Sequence, residues 1–186
     1  MLPGLVEGVL RQAGLRVDQL DAVAVSSGPG SFTGLRIGFG FAKGLVYAVG
    51  AHLVLVPTLE ALATVVGAAE GPVCAALDAR KQEVYAAVFE PDGRGGLRRT
   101  TDDLALSAPA LASRLPDGCT LIGDASEAYA DILGRRATLL PFAAWHPVGS
   151  VVARLGWQRL MAGGAADAGT AEPCYVRAPE ARLPSR

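Results

Sequence analysis

The chain has 186 residues, 51% of them hydrophobic and 6% aromatic, with a formal net charge of −1. That length supports one domain or two small lobes around a real core, and the charge balance excludes a strongly basic nucleic-acid face. Cys74, Cys119 and Cys174 are far apart and odd in number, with no Cys-x-x-Cys, so neither a disulfide framework nor a zinc site is indicated.

In chain order, Leu2, Leu5, Val6, Val9 and Leu10 recur at helical spacing and predict a helix that Gly14 closes. After a polar connector at 18–21, the apolar run Ala22-Val23-Ala24-Val25 predicts a buried strand. It feeds a glycine-rich loop, Ser26-Ser27-Gly28-Pro29-Gly30-Ser31-Phe32-Thr33-Gly34, and a helix over 35–49 follows. A strand is expected at 52–56, then a helix capped by Thr58 with Leu59, Leu62, Val65 and Val66 on its apolar side. Gly71-Pro72 marks a break. Strands at 73–77 and 83–89 flank Asp78-Ala79-Arg80-Lys81-Gln82 as a hairpin, with a third strand at 97–101. Beyond it the pattern predicts a helix at 106–115, a strand at 120–124, a helix at 126–133, a short strand at 137–140 and a long amphipathic helix at 148–161. A flexible linker at 165–170 and an extended 173–177 complete the chain. The alternation is mixed α/β, divided near residue 57.

The glycine loop joins a strand to a helix N-terminus, which aims unpaired N–H groups and the positive end of the helix dipole at one point. Such a point binds an anion, through Gly28, Gly30 and Ser31, or is a tight corner that lets another backbone approach. The loop matches neither the Walker A pattern, since Leu35-Arg36 follow Gly34, nor the dinucleotide pattern, since its glycines are out of step. The next helix carries Gly34, Gly38, Gly40 and Gly44, each costing about 1 kcal/mol relative to alanine. Two pairs at spacing four read as close-approach positions for another helix. Arg36 and Lys43 argue against a bilayer setting, and no uncharged stretch reaches membrane-spanning length. No basic leader opens the chain.

The two histidines, His52 and His146, have no partner at metal-ligand spacing, and no Ser/His/Asp or Cys/His constellation is suggested, so no metal, cofactor or catalytic residue is expected. Asp78 either holds a magnesium ion through water or ends its strand and orders the turn.

Three collinear segments carry a resemblance. Ser27-Gly28-Pro29-Gly30-Ser31-Phe32-Thr33-Gly34-Leu35-Arg36-Ile37-Gly38 with Ala42-Lys43-Gly44-Leu45 resembles the hallmark of the TsaB (YeaZ) family. Leu77-Asp78-Ala79-Arg80-Lys81 before Glu83-Val84-Tyr85 resembles its second motif, and Ala171-Glu172-Pro173-Cys174-Tyr175-Val176-Arg177 its C-terminal one. The resemblance implies a two-lobed, actin-like and Hsp70-like (ASKHA) fold. Residues 1–57 would form a first lobe and 58–186 a second, with helix 148–161 packing between them. The family's usual opening segment of strands with an Asp-Thr motif has no counterpart ahead of Leu2. The expectation is an N-terminally truncated first lobe with one flank of strand 22–26 left as an open edge.

The resemblance further implies an accessory, non-catalytic subunit of the bacterial machinery for tRNA threonylcarbamoyladenosine, pairing with its paralogue TsaD and joined by the ATPase TsaE in the cytoplasm. tRNA would be met only through the complex, and a homodimer is the alternative use of the same surface. The expected partner-binding residues are Leu5, Val9, Phe32, Gly34, Arg36, Gly38, Gly40, Lys43 and Gly44. Rival readings are an ATP-dependent phosphotransferase or ATPase of the actin-like fold, and a self-associating module. The family's old glycoprotease label finds no supporting residues.

Overall fold

The computed structural model describes residues 2–141 and 148–176; His146 and Arg177 lie outside them. Helix α1 (Leu2–Ala13) and a 3-10 turn (Val17–Gln19) lead into strand β1 (Ala22–Ser26). Helix α2 (Phe32–Val49) crosses to strand β2 (His52–Val56), which runs parallel to β1, with Ala22 opposite His52 and Ser26 opposite Val56. A parallel pair needs such a crossover, because a tight hairpin cannot return the chain in the same direction. Gly50 ends α2 in the left-handed conformation, φ 73°, with its N–H on the Val46 carbonyl.

Helix α3 (Thr58–Val65) connects this sheet, two-stranded among the described residues, to a second that has six strands among them. Strands β3 (Val73–Arg80) and β4 (Glu83–Pro91) pair antiparallel; β5 (Leu97–Arg99) and β6 (Leu104–Ser107) share the outer edge of β4. After α4 (Ala108–Ala112), β7 (Thr120–Ile122) adds parallel to β3. Two short helices, α5 (Ala125–Ala128) and α6 (Ala130–Leu133), then bring in β8 (Thr138–Leu139) beside β7. Helix α7 (Val148–Met161) returns to pack on β1, β2 and α3.

The period-two alternation of β3 divides the larger core. Cys74 and Ala76 face α4 to α6 with Leu111, Leu121 and Leu133; Val73 and Ala75 face α3 with Leu59, Leu62 and Phe89. Full burial of Leu59 and Leu62 stabilises by about 1.5–3 kcal/mol each. Between the sheets, α7 packs Val152 and Leu155 against Val56 and Ala61, and Arg159 pairs with Glu60 at 2.7 Å. At Gly156 an added Cβ would overlap the Ala24 methyl, so this glycine sets how closely α7 approaches β1.

Several sequence expectations need correction. The helix expected at 106–115 does not begin at 106: residues 104–107 are a strand, because the edge of β4 takes Leu104 to Ser107 in register with Ala86 to Glu83. The helix behind it is shorter and starts from Ser107, whose Oγ accepts the Ala110 N–H at 3.4 Å. The helix expected at 126–133 is broken at Tyr129, φ −130°, whose hydroxyl reaches Asp78. Thr58 does not cap its helix: its Oγ1 accepts the Gly28 N–H at 3.2 Å instead. Strand β3 runs on to Arg80 with a bulge between Asp78 and Arg80, so Lys81 and Gln82 alone lie between the paired strands.

Burial in this core governs the thiols. It pushes the Cys119 thiol up to about 11 and the Cys74 thiol further, whereas Cys174 is exposed. Unfolding would let both buried thiols ionise near their ordinary value, so the native state binds more protons in alkali. Stability contributed by these raised values is intact below about pH 8.5 and is lost as pH rises towards 11. A disulfide-exchange reagent at pH 8 should therefore label one thiol of the native chain rapidly and three after denaturation. Three fast-reacting thiols in the native protein would contradict this packing.

Candidate functional site

Helix α2 has two apolar stripes. Leu35, Phe39, Ala42 and Val46, spaced four, three and four apart, are buried towards the β1–β2 sheet. Ile37, Gly40, Gly44 and Tyr47, spaced three, four and three, face away from it. Ile37 is 59% and Tyr47 92% exposed, and a Cβ built at Gly40 or Gly44 meets nothing within 4 Å. On α1, which buries no residue, Leu5 is 67% and Val9 65% exposed. On α2 this leaves an uncovered face with a bare backbone stripe at its centre, while Leu5 and Val9 line the space between α1, β1 and the neighbouring side of α2.

The expected partner-binding residues divide accordingly. Gly40 and Gly44 are on the open stripe of α2, and Leu5 and Val9 are exposed on α1. Gly38 is turned inward, where its Cβ would lie 3.9 Å from Val25. Gly34 donates to the N-cap Ser31 Oγ at 3.3 Å, and a Cβ there would meet the same serine. Phe32 and Arg36 stack on each other, with the guanidinium 4.0 Å from the ring centroid. Both also touch Tyr175: the two rings are 5.3 Å apart and Arg36 Nε donates to the phenol at 3.4 Å. Lys43 donates to the Ala171 carbonyl at 2.8 Å and to that of Gly169 at 3.4 Å. Ile37 and Tyr47 were not singled out from the sequence, although their spacing with Gly40 and Gly44 carried the signal.

These contacts define a strap. Leaving α7, the chain pairs Ala166 with Leu53 on the outer edge of β2. It then turns at Asp167, whose carboxylate accepts the Gly169 N–H and the Thr170 hydroxyl. Those two bonds, with Lys43 nearby, hold its carboxyl below the usual carboxylate range. The strap packs Ala168 and Ala171 against α2 and reaches the glycine loop, where the Cys174 N–H donates to the Ser27 carbonyl at 2.6 Å. Lys43→Met should free the strap at a cost of about 1 kcal/mol, read as faster hydrogen exchange at 169–175 with β1 and β2 unchanged. Equal exchange in both proteins would show that the lysine does not hold the strap.

The loop amides are largely committed inward. Ser27 donates to Val56 at 2.8 Å and Gly28 to Thr58, whose own N–H returns to the Gly28 carbonyl at 2.9 Å. Gly28 adopts φ 110°, and a Cβ there would strike the Cys174 carbonyl. Its glycine therefore serves the close approach of the strap. Gly30 and Ser31 line a cleft of ≈ 900 Å³ between this loop and the β3–β4 hairpin, with Asp78 on the far wall. Asp78 accepts from the Arg80 N–H at 2.9 Å and the Tyr129 hydroxyl at 3.0 Å, and pairs with the Arg80 guanidinium at 3.1 Å. Burial and that carboxylate push the Tyr129 phenol up. Asp78 thus orders a turn whose Arg80, Lys81 and Gln82 all hold positive φ, 63°, 53° and 63°. Among the described residues no group of three His, Cys, Asp or Glu side chains is placed to hold a metal ion.

A family model described as TsaD, tRNA N6-adenosine threonylcarbamoyltransferase, matches residues 1–111. The Haemophilus influenzae tRNA threonylcarbamoyladenosine biosynthesis protein TsaB is 42% identical over 85 residues, which is 44% of this chain and 35% of that protein. The Escherichia coli TsaB is 39% identical over 93 residues, 49% of this chain and 40% of its own length. The matched parts thus span well under half of these curated relatives. Among solved structures, YeaZ from Pseudomonas aeruginosa superposes with a TM-score of 0.79 at 26% identity, covering 93% of this chain and 82% of that one. A second Pseudomonas aeruginosa structure, described as an uncharacterized protein with similarity to peptidase YEAZ, gives a TM-score of 0.78 at 27% identity and covers 95% and 82%.

Proposed function

The chain belongs to the TsaD-like family matched over residues 1–111, on its TsaB (YeaZ) branch with the corresponding actin-like fold, and from that premise we propose that it is a partner-binding subunit in tRNA threonylcarbamoyladenosine synthesis. The observation that carries this reading is the open stripe of Ile37, Gly40, Gly44 and Tyr47 on α2, with Leu5 and Val9 also exposed on α1. A stripe of bare backbone lets a second helix come to the short end of the ordinary 8–10 Å interaxial range. Burying exposed leucine, valine, isoleucine and tyrosine supplies the drive.

The partner in this reading is a TsaD paralogue, relatives of which share up to 46% identity with this chain over about sixty residues. Paralogous helices present the same kind of face, so the contact is pseudo-symmetric, and in the partner's absence a second copy fits it. TsaE joins the pair, tRNA is met through the complex, and the setting is the cytoplasm. No helix of the described residues is long and apolar enough to cross a membrane. The role is non-catalytic: Asp78 is committed to Arg80 and Tyr129, and the Ser27 and Gly28 amides to Val56 and Thr58. An ATPase or phosphotransferase would need those groups turned to a nucleotide.

The reading is tested by adding the chain to TsaD and TsaE from the same source with tRNA, ATP and threonylcarbamoyl-adenylate. Modified adenosine should form only when the chain is present. Equal modification without it, or turnover by the chain alone, would overturn the assignment.

A further inference from the structure

Helix α2 carries its open stripe and the anchors of the strap on neighbouring flanks. At about 100° per residue, Arg36 and Lys43 stand roughly 40° and 60° round the helix from Gly40, both to the same side. Both hold the strap: Lys43 Nζ donates to the Ala171 and Gly169 carbonyls, and Arg36 Nε to the Tyr175 phenol. A helix seated over Gly40 at about 8–10 Å between axes is itself about 10–12 Å wide. Its flank reaches residues 169–172, of which Gly169, Thr170 and Glu172 are exposed. The far end of the strap is fixed to the glycine loop. There the Cys174 N–H donates to the Ser27 carbonyl at 2.6 Å, Gly28 leaves room for the Cys174 carbonyl, and the Tyr175 ring lies 5.3 Å from that of Phe32. Cys174, Tyr175 and Val176 also line the cleft that faces Leu77 to Lys81.

We propose that the strap belongs to the docking surface and carries docking to the glycine loop. A paralogue helix on the stripe, the occupant proposed above and presupposed here, closes over residues 169–172 and so holds Cys174 and Tyr175 on Ser27 and Phe32. The strap can respond in this way because little else secures it. Among the described residues, no backbone hydrogen bond joins 167–173 to a strand or helix. The Ala171 N–H turns back on the Asp167 carbonyl, and the Asp167 carboxylate takes the Gly169 N–H and the Thr170 hydroxyl. A segment with so few ladder bonds opens locally well before the sheets do. Burial of its outer side by a partner opposes that opening. Ala171 is held on α2 and Cys174 on the loop, and the three residue steps between them reach about 10 Å at most. So short a link passes the fixing of one end to the other, through contacts that are continuous from the stripe to the loop.

The test measures amide hydrogen exchange in the chain alone and with saturating TsaD from the same source, with heteromer formation read separately by light scattering. In the heteromer, exchange at Ala171 and at Cys174 should slow at least about tenfold, with β3 and β4 unchanged. Tyr175→Ala removes the ring that seats the strap on Phe32 and Arg36. In that variant docking should still slow Ala171 about tenfold, whereas the slowing at Cys174 should drop to about threefold or less. A heteromer in which both amides exchange as in the free chain would overturn the proposal and leave the docking of a paralogue standing. Slowing of Ala171 alone in the parent would put the strap under the partner but overturn its link to the loop, which the proposal requires. Equal slowing of Cys174 in the parent and in Tyr175→Ala would mean that the partner covers the loop directly, and would overturn that link as well. If no heteromer forms, docking on α2 is itself refuted and the coupling with it.

Discussion

Gly40→Leu is expected to end co-purification with TsaD while making the isolated chain slightly more stable. The two effects have separate causes. A Cβ at position 40 meets nothing within 4 Å, so the leucine side chain extends from the exposed face without disturbing β1, β2 or the strap. Removing a glycine from the interior of an 18-residue helix lowers the entropy cost of forming it, a gain of about 0.5–1 kcal/mol. In the complex the same side chain stands where a partner helix must approach the bare backbone. Keeping the helices apart at a central position costs about 2 kcal/mol or more, roughly 30-fold in Kd. The opposite signs make the result diagnostic. A variant that melts higher and fails to bind locates the docking face, whereas one that melts higher and binds as before removes Gly40 from it. Gly38→Leu would be a poorer probe, because position 38 faces Val25 and the fold itself would be disturbed.

The second large effect is structural. Gly123→Ala should destabilise the protein by about 4 kcal/mol or more, in the tail of single-substitution costs. Gly123 holds φ 119°, a region L side chains rarely adopt, and an added Cβ would run into the backbone of Ala76 in β3. Neither party is the end of a flexible chain. Relief would require separating β7 from β3 where Ala75 and Ile122 are in register. A calorimetric scan of the two proteins measures this. A melting temperature within a degree or two of the parent would show that the β7 corner is less tightly fixed than the register implies.

Much of the fold was legible because periodicity is a local signal. The apolar spacing of Leu2 to Leu10, the run from Ala22, the amphipathic stretch 148–161 and the hairpin arms around residues 78–82 each encode their own element. What failed to show was decided by partners distant in sequence. Leu104 to Ser107 is a strand because β4 offers an edge to it, and nothing in Leu-Ala-Leu-Ser excludes a helix. Tyr129 breaks its helix where its hydroxyl finds Asp78, 51 residues away. Thr58 has the composition of a cap, but Gly28 claims its hydroxyl.

The candidate site divides in the same way. Glycines at spacing four announced a close-approach surface, yet which of them are bare depends on how α2 is rotated over β1 and β2. Sequence cannot fix that rotation while both stripes are apolar. Arg36, Lys43 and Phe32 stood out as a charge or an aromatic on that helix. Their contacts with Tyr175, Gly169 and Ala171 depend on a strap more than 120 residues away in sequence, which no local pattern marks.

Docking of a TsaD paralogue on the exposed faces of α1 and α2 is what the proposed function requires. Size-exclusion chromatography with light scattering tests it most directly, on this chain alone, on TsaD from the same source, and on their mixture. A new peak with the mass of a heteromer is expected, formed at the expense of any homodimer and lost with Gly40→Leu. Two components that elute at their separate masses, with Gly40→Leu behaving as the parent does, would contradict it.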